Sequence, residues 1–431
     1  MTKADLAKGT GRPGLFQRLD TAYRSFCQLR DLTPEQVDSF MQSYVIYDLD
    51  WQDEKQMVET LGPNYQEKVG ECLSNYYRVL NHLCAIGELE KMYIPPIMDS
   101  NEGITGNQIL YEESIAEELQ LPSNPKLLDL GCGRGRVAAH MSLLCGAQVT
   151  GINIDADQVA SAKAYNEQCH FSNEFVRKDF NELPLPLPDA HFDGFYQIQA
   201  FSLCKDIPKL ASEVYRVLKP GARISLLDWV SLNAYNPQDP HHRELMRCVK
   251  PLIGAVGTPT PESMCRDLES AGFRIIRHNN ASIDGLQAPL LEIAKGYFGT
   301  AKWATFSLVN VGLLPAHFKT LFNRFSQDSD AFIEADRSRL ITTCYHWLAE
   351  KPRDMDVAGI PKSVSPASSD LAVKADSSAS SDSETKATNT PASSIDDVPT
   401  NKSAKAEVEK ASSSLSSGAI TTPKAAVETA A

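Results

Sequence analysis

The chain has ten cysteines but no Cys-x-x-Cys pair and no zinc-type spacing of cysteine and histidine. This pattern predicts reduced thiols in a cytoplasmic protein and no metal site. The sequence also lacks a dense run of lysine or arginine, and its net charge is −13. A protein that holds nucleic acid through phosphate contacts needs a basic surface, so we expect no nucleic-acid partner.

Long apolar runs are absent as well. The nearest candidate, Trp303 to Leu314, is shorter than the roughly 18 residues that a membrane-spanning helix requires. The first residues, Met1 to Gly14, contain no apolar core of the kind found in a secretory signal. We therefore expect a cytoplasmic protein, and peripheral contact with an internal membrane stays open.

The end of the chain has a composition of its own. No aromatic residue and no cysteine follows Trp347, and 353–431 consists mainly of Ser, Ala, Thr, Lys, Asp and Glu with scattered Pro. Such a segment cannot bury enough apolar surface to offset the entropy lost on ordering. The sequence therefore predicts a disordered tail over 353–431.

The first 120 residues are predicted to be helical. Apolar residues recur at helical spacing from Leu73 to Leu89, and Ile109 to Leu119 is a second candidate helix. Pro95 and Pro96 end the first pattern, because proline lacks an amide proton and clashes inside a helix. We expect this region, 1–120, to cover the acceptor pocket of the domain that follows.

Short apolar runs alternate with helical stretches from Lys126 onward. This alternation predicts a parallel sheet with helices on both faces, within a Rossmann-like, seven-stranded α/β domain over 121–352. Within it, the segment at about 231–340 is expected to form a lid over the acceptor. The predicted strands are Lys126–Leu130, Gln148–Ile152, Glu174–Arg177, Phe192–Ile198, Arg223–Val230, Phe273–Arg277 and Arg339–Leu348.

A glycine-rich loop follows the first of these strands. Glycines 131, 133 and 135 form Gly-x-Gly-x-Gly, which differs from the Gly-x-Gly-x-x-Gly of dinucleotide sites. Glycine allows a tight turn and lets a ligand approach the backbone without a Cβ in the way. Asp129 stands just before the loop, where its negative charge would repel a phosphate but suit the cationic amino-acid end of S-adenosylmethionine. The loop, with Cys132 inside it, is therefore predicted to bind that cofactor.

Further polar residues follow at the spacing this cofactor needs. Asn153 ends the second strand, 20 positions after Gly133, where it can reach the ribose hydroxyls. Asp179 and Phe180 follow the third strand, and an acid beside an aromatic ring suits the adenine; a helix cap is the structural alternative for Asp179. The remaining residues predicted to bind the cofactor are Asp155, Gln158 and Gln197.

These motifs resemble the class I S-adenosylmethionine-dependent methyltransferases. More narrowly, the chain from about Tyr65 to Pro352 resembles the sterol 24-C-methyltransferases of fungi and plants. That likeness rests on Gly151-Ile-Asn-Ile-Asp155, on Asp228-Trp-Val followed by Asn-Pro-Gln-Asp-Pro-His-His-Arg243, and on Gly312-Leu-Leu-Pro315. The resemblance implies a Rossmann-like fold, S-adenosylmethionine as cofactor and a lipophilic methyl acceptor.

Two segments depart from the pattern of that family. Its Tyr-Glu-Tyr-Gly-Trp-Gly segment is replaced by Cys84-Ala-Ile-Gly-Glu88 and then Met92-Tyr-Ile-Pro-Pro96. Its Ile-Glu-Ala-Thr-x-His segment is replaced by Ile198-Gln-Ala-Phe-Ser-Leu203, so Gln199 stands where the family has an acid and Leu203 where it has histidine. The resemblance places both segments at the acceptor, so a changed acceptor is expected.

Candidate catalytic and acceptor residues follow from position. Asp228 ends the fifth strand and is the candidate base, because ligands of open α/β sheets bind outside the carboxyl ends of strands; a buried acid that caps a loop or pairs with Arg243 is the alternative. His241, in a polar segment, is a second candidate, with a solvated histidine as its alternative. The residues predicted to line the acceptor pocket are Tyr76, Tyr77, Tyr93, Gln199 and Trp229, although aromatics at helical spacing also suit a core.

Three functional hypotheses remain from the sequence. The first is methyl transfer to the oxygen, nitrogen or carbon of a small lipophilic acceptor in specialised metabolism. The second is sterol 24-C-methylation, and the third is a non-catalytic binding protein that keeps the fold. The sequence does not identify the acceptor or the oligomeric state.

Overall fold

Strand β1 (Lys126–Leu130) lies at the centre of the sheet, and its apolar side chains are fully buried. Leu128 and Leu130 pack into one apolar cluster and Leu127 into another, since helices cover both faces of the sheet. The computed structural model describes residues 15–51, 53–86 and 90–353. The predicted tail lies outside them, apart from its first residue.

Within that described part, seven strands form one sheet in the order β3-β2-β1-β4-β5-β7-β6. The predicted Rossmann-like α/β fold with a helical N-terminal region is confirmed. The other strands are β2 (Gln148–Asn153), β3 (Glu174–Arg177), β4 (Phe192–Ile198), β5 (Leu218–Ser231), β6 (Arg274–Asn280) and β7 (Ile341–Glu350).

The parallel arrangement that the alternation predicts holds from β1 to β5, and one edge of the sheet is mixed. Strand β7 lies between β5 and β6 and is antiparallel to both. Ser231 at the end of β5 pairs with Ile341 at the start of β7, so the chain returns along its neighbour. The alternation of strands and helices indicates which segments are buried. It does not indicate whether a later strand pairs parallel or antiparallel with its neighbours.

The helices up to Ile86 precede the sheet and pack together around Phe40, Leu73 and Tyr76. The helix from Ile104 to Glu118 packs instead through Tyr111 and Ile115, in the cluster that contains Leu127 of β1. The predicted helix at 73–89 is described through Ile86 and begins earlier, at Tyr65. Together with the sheet these helices belong to one compact unit. They are α1 (Leu15–Arg30), α2 (Pro34–Gln42), α3 (Glu54–Leu61), α4 (Tyr65–Ile86) and α5 (Ile104–Glu118).

The remaining helices connect the strands or form the segment that was predicted as a lid. Three connect strands of the parallel part, namely α6 (Arg136–Cys145), α7 (Ala156–Cys169) and α8 (Ile207–Val217). The later ones are α9 (Pro240–Ile253), α10 (Pro261–Ser270), α11 (Ala288–Asn310), α12 (His317–Ser326) and α13 (Ser329–Arg337). No helix among the described residues is long and apolar enough to cross a membrane.

Candidate functional site

The glycine loop turns sharply between β1 and α6. Gly131 has φ +82°, and a Cβ there would lie 2.5 Å from the Cβ of Ala200. Gly135 has φ +71° and caps α6; a Cβ there would lie 2.8 Å from the Cβ of Ala162. Both positions therefore require glycine. A side chain at Gly131 would collide with the loop that follows β4, and a side chain at Gly135 would collide with α7.

A cleft opens above this loop, at the carboxyl ends of β1, β2 and β4. The space between its walls is about 880 Å³, part of it open to solvent. Its lining includes predicted cofactor residues and predicted acceptor residues, so the structure brings the two sets together. The predicted residues that line it are Tyr77, Tyr93, Asp129, Gly131, Cys132, Gly133, Asn153, Gln158, Phe180 and Gln199.

Asp129 is a buried carboxyl group at the floor of the cleft. It is 3% exposed, and among the described residues it has no ion-pair partner. Burial raises its pKa to about 7, although a hydrogen bond from the hydroxyl of Tyr196 at 2.9 Å lowers it in part. A buried acid without a cation is suited to the ammonium group of S-adenosylmethionine, which would supply the missing charge.

The residues predicted for the ribose lie at the end of β2. Asn153 and Gln158 line the cleft, and Nδ2 of Asn153 donates to Oε1 of Gln158 at 3.1 Å. Asp155 does not line the cleft. Its carboxylate caps α7 by accepting from the amide of Gln158 at 2.8 Å, so this structure gives Asp155 the role of a helix cap.

The two residues predicted to bind adenine, Asp179 and Phe180, line different depressions of the surface. Phe180 lines the cleft, whereas Asp179 lines an adjoining groove that shares Ile154 with it. Oδ1 of Asp179 accepts from the amide of Asn181 at 2.8 Å, a local turn rather than a helix cap. Burial raises the pKa of Asp179 above its ordinary value.

Gln197 and Asp228 lie behind the cleft and brace the loop after β4. Nε2 of Gln197 donates to Oδ2 of Asp228 at 3.1 Å, and its Oε1 accepts from the amide of Ala200 at 2.8 Å. Oδ2 of Asp228 also accepts from the amide of Ser202 at 3.3 Å. Neither side chain lines the cleft, and the contacts of Asp228 are those of the loop-capping alternative.

Asp228 is nevertheless an unusual acid. Burial raises its pKa to about 6, against the hydrogen bonds from Trp229, Gln197 and Ser202. The alternative partner Arg243 instead donates to the carbonyl oxygen of Pro237. His241 does not line the cleft; its side chain is exposed and lies 2.7 Å from Oε1 of Glu334.

Two of the predicted acceptor residues belong to the core. Tyr76 is 2% exposed, donates to the carbonyl oxygen of Pro251 and packs edge-on against Tyr47. Trp229 is 1% exposed and packs with Leu245 and other apolar residues of the lid segment. An aromatic pattern at helical spacing does not distinguish the buried Tyr76 from Tyr77, which does line the cleft.

Gln199 connects the segment around Ile94, which we call the cover segment, to the sheet. It adopts φ +53°, its Nε2 donates to the carbonyl oxygens of Ile94 and Thr343, and its Oε1 accepts from the amide of Ile94. A carboxylate could not make the two donations. The substitution of glutamine for the family's acid therefore has a structural reason in this chain.

Several cleft residues were missed by the sequence analysis. Glu90, Lys91, Arg134 and Arg136 contribute charge, and Arg136 donates to Oε2 of Glu90. Nη1 of Arg134 has no hydrogen-bond partner among the described residues, and nor does Oε1 of Glu90. Glu90 and Arg136 are 46 positions apart, so no local spacing in the sequence indicates their contact. The one visible signal in the sequence was the pair of arginines beside the glycines. The uncharged residues that were missed are Val137, Ile154 and Tyr196, whereas Met92, Ile198, Ala200 and Leu203 lie in the two segments that the resemblance placed at the acceptor.

Comparison with known proteins agrees with this geometry. Residues 128–226 match a family described as a methyltransferase domain. The sterol 24-C-methyltransferase of Pneumocystis carinii is 28% identical over 269 residues, 56% of this chain and 70% of that protein. The methyltransferase phqN of Penicillium fellutanum is 28% identical over 267 residues, 62% of this chain and 77% of that protein.

A solved structure shows the same fold. The cyclopropane synthase MmaA2 of Mycobacterium tuberculosis superposes with a TM-score of 0.52 at 14% identity, over 61% of this chain and 90% of that one. The sheet order, the glycine loop and the buried acid before it define a class I S-adenosylmethionine-dependent methyltransferase. Within that class, the chain resembles the sterol 24-C-methyltransferases.

Proposed function

We propose that this methyltransferase acts on a small lipophilic acceptor in specialised metabolism. The observation that carries the proposal is the mixed lining of one continuous cleft. Beside Asp129 and the glycine loop, the cleft is lined by apolar side chains, among them Met92, Ile198 and Leu203. A lipophilic acceptor bound against them would reach the same space as the methyl donor.

The protein's part in this reaction is alignment and exclusion of water. The sulfonium of the cofactor, when bound, supplies a methyl group on a good leaving group, so no metal is required for the displacement. Asp129 would hold the ammonium group, and the apolar side chains would exclude water from the reacting atoms. Tyr77 offers an aromatic face, which favours an acceptor that develops positive charge.

A proton acceptor is needed where a carbon or a hydroxyl group is methylated. Among the described residues that line the cleft, the carboxylates are Asp129 and Glu90. Burial pulls the pKa of Glu90 upward, but attraction and a hydrogen bond from Arg136 outweigh it and leave the pKa below its ordinary value. Glu90 therefore stays ionised, and it replaces Asp228 as the candidate base.

Sterol 24-C-methylation is the second candidate function. The name of the Pneumocystis carinii relative favours it, and so does the likeness around Asp228 to Arg243. The residues at Gln199 and Leu203 favour the first candidate, since the resemblance places an acid and a histidine there. The name of phqN, a methyltransferase without a stated sterol substrate, is consistent with a different acceptor.

The test is methyl transfer from labelled S-adenosylmethionine. Purified protein would be supplied either with a sterol that is unsaturated at C24, such as zymosterol, or with an extract of lipophilic metabolites. Asp129→Asn serves as the inactive control. Label in the extract but not in the sterol would support the first candidate, and efficient labelling of the sterol at C24 would overturn it. Cofactor binding without transfer to any acceptor would contradict both.

A further inference from the structure

Helix α11 has an apolar side that nothing in the described structure covers. Of its 23 residues, Ala288 and Leu290 alone are fully buried. Tyr297 is 77% exposed and Trp303 is 73% exposed. The turn that follows continues this surface, since Val311 and Leu313 are 70% and 71% exposed.

The exposed side of α11 also lacks charge. From Gly296 to Leu313 every exposed position is occupied by an uncharged residue. We call this surface the α11 patch; it consists of Gly296, Tyr297, Gly299, Thr300, Trp303, Ala304, Ser307, Leu308, Asn310, Val311, Gly312 and Leu313. Isolated apolar residues are common on protein surfaces, but a continuous patch with two exposed aromatic rings indicates an interaction site.

The chain segment that carries the patch has no acidic residue of its own. The protein carries −13, yet the 35 residues from 293 to 327 contain no aspartate or glutamate. Of their four basic residues, Lys295 is paired with Asp330 and Arg324 with Asp328, which leaves Lys302 and Lys319. Lys302 donates to Oγ of Ser326 and Lys319 donates to Oδ1 of Asn310, both of which are neutral acceptors.

An anionic lipid bilayer matches this combination. Tryptophan and tyrosine are favoured where apolar and polar regions of a membrane meet, and nearby lysines are attracted to acidic headgroups. A second copy of the same patch would bring like charges together across a symmetric interface. We propose that the protein docks peripherally on anionic membranes through the α11 patch, with the helix lying along the surface.

The patch is connected to the cleft through the interior of the protein. On the opposite side of α11, Phe298 and Phe306 pack against an apolar cluster that also includes Tyr77, Met92 and Leu203. The last three line the cleft. Docking would therefore hold the cleft near the bilayer in which a lipophilic acceptor dissolves. This consequence rests on the proposed function, whereas the docking itself does not.

The protein provides its own reporter for a test. Of its four tryptophans, Trp51, Trp229 and Trp347 are buried, and Trp303 alone is exposed. Full-length protein, without cofactor or acceptor, would be mixed with vesicles of phosphatidylcholine alone or with about 30% phosphatidylserine. We expect co-sedimentation, a blue shift of the fluorescence and quenching by brominated acyl chains with the acidic vesicles, all weakened by salt.

Matched variants separate docking from folding. Trp303→Ser and Tyr297→Ser should each reduce vesicle binding by about tenfold, since each removes the burial of one aromatic side chain. Ile276→Ser, which alters a 40% exposed residue on β6 outside the patch, should leave it unchanged. Binding of S-adenosylhomocysteine by every variant shows that the fold is intact, and its loss in all of them would be a failure of the cofactor site and not of the docking site.

Three results would overturn the proposal. The first is no association with acidic vesicles while S-adenosylhomocysteine still binds. The second is equal loss of vesicle binding in Ile276→Ser and Trp303→Ser. The third is a doubling of mass in light scattering that Trp303→Ser abolishes, which would identify a second copy as the occupant.

Discussion

Tyr196 and Asp129 face each other across the two central strands, and the tyrosine hydroxyl donates to Oδ2 of the carboxyl group at 2.9 Å. Both side chains are buried. The hydrogen bond limits, but does not cancel, the effect of burial on the carboxyl group, whose pKa is raised to about 7. Asp129 is therefore half protonated near neutral pH until a cation joins it.

Binding of S-adenosylhomocysteine should depend on the charge of Asp129. Asp129→Asn removes one charge-assisted hydrogen bond, and we expect the affinity to fall about 10- to 100-fold in calorimetric titration. In the unaltered protein, affinity should rise about tenfold per pH unit below pH 7 and then level off, because the carboxyl group must lose its proton first. A variant that keeps this pH dependence would show that another group controls binding.

The same carboxyl group should lower the stability of the cofactor-free protein. Its pKa in the folded state lies above the ordinary 3.8, so the folded state binds the extra proton. The stability it contributes is present at acidic pH and is lost as pH rises from about 4 through about 7. At pH 8, Asp129→Asn should therefore exceed the unaltered protein by about 1 to 3 kcal/mol in the free energy of unfolding, and it should unfold at a higher temperature. At pH 4 we expect little difference. Equal thermal shifts at both pH values would contradict this assignment.

Tyr196→Phe removes the hydrogen bond that lowers the pKa of Asp129. The pKa should rise above 7, so the pH at which cofactor binding reaches its plateau should move upward. Affinity should fall at pH 7 and recover near pH 9. Tyr76→Phe is a matched control, because that buried hydroxyl donates to the carbonyl oxygen of Pro251 instead. An unchanged plateau in Tyr196→Phe would show that the hydroxyl does not tune the acid.

Gln199 should not tolerate the acid that the resemblance leads one to expect at its position. In Gln199→Glu a carboxylate would face the carbonyl oxygens of Ile94 and Thr343, which now accept hydrogen bonds. We expect a loss of about 2 kcal/mol in the free energy of unfolding by urea. Gln148→Glu changes a partly exposed amide that donates to Ser172, and it should cost under about 0.5 kcal/mol. If the two variants lose equal stability, the clamp on the cover segment is not energetically significant.

Glu90→Gln separates the chemical step from binding. The variant keeps the shape of the side chain but cannot accept a proton, so kcat should fall by about 10²- to 10⁴-fold with little change in cofactor affinity. Asp228→Asn should instead reduce stability, because three donors converge on that carboxylate. A larger effect of Asp228→Asn than of Glu90→Gln on kcat, at equal stability, would restore Asp228 as the base.

The sequence was a reliable guide to the elements near the glycine loop. Strands β1 and β4 have the predicted bounds, because each is a short buried run between strong turn signals. Asp129 was found because its chemistry conflicts with a phosphate site. Strand β5 begins earlier than predicted, at Leu218, and its pairing with β4 shifts register between Leu218 and Arg223.

Site residues that depend on tertiary contacts were harder to predict. Asp228 ends a central strand like a catalytic acid, yet the loop after β4 folds back over it and uses its oxygens. Glu90 and Arg136 meet only in the folded protein, because a cover segment reaches the start of α6. Tyr76 and Tyr77 are neighbours in sequence, but successive side chains of a helix point about 100° apart, so only one of them reaches the cleft.

The antiparallel direction of β7 determines where the catalytic domain can be cut. Since Glu350 pairs with Arg223 near the start of β5, the strand ends at the edge of the sheet opposite the cleft. Lys351 then fastens the chain by donating to the carbonyl oxygens of Tyr215 and Leu218. A chain that stops after Arg353 keeps every strand and every cleft residue described here, and a label attached at that point would lie far from both cofactor and acceptor.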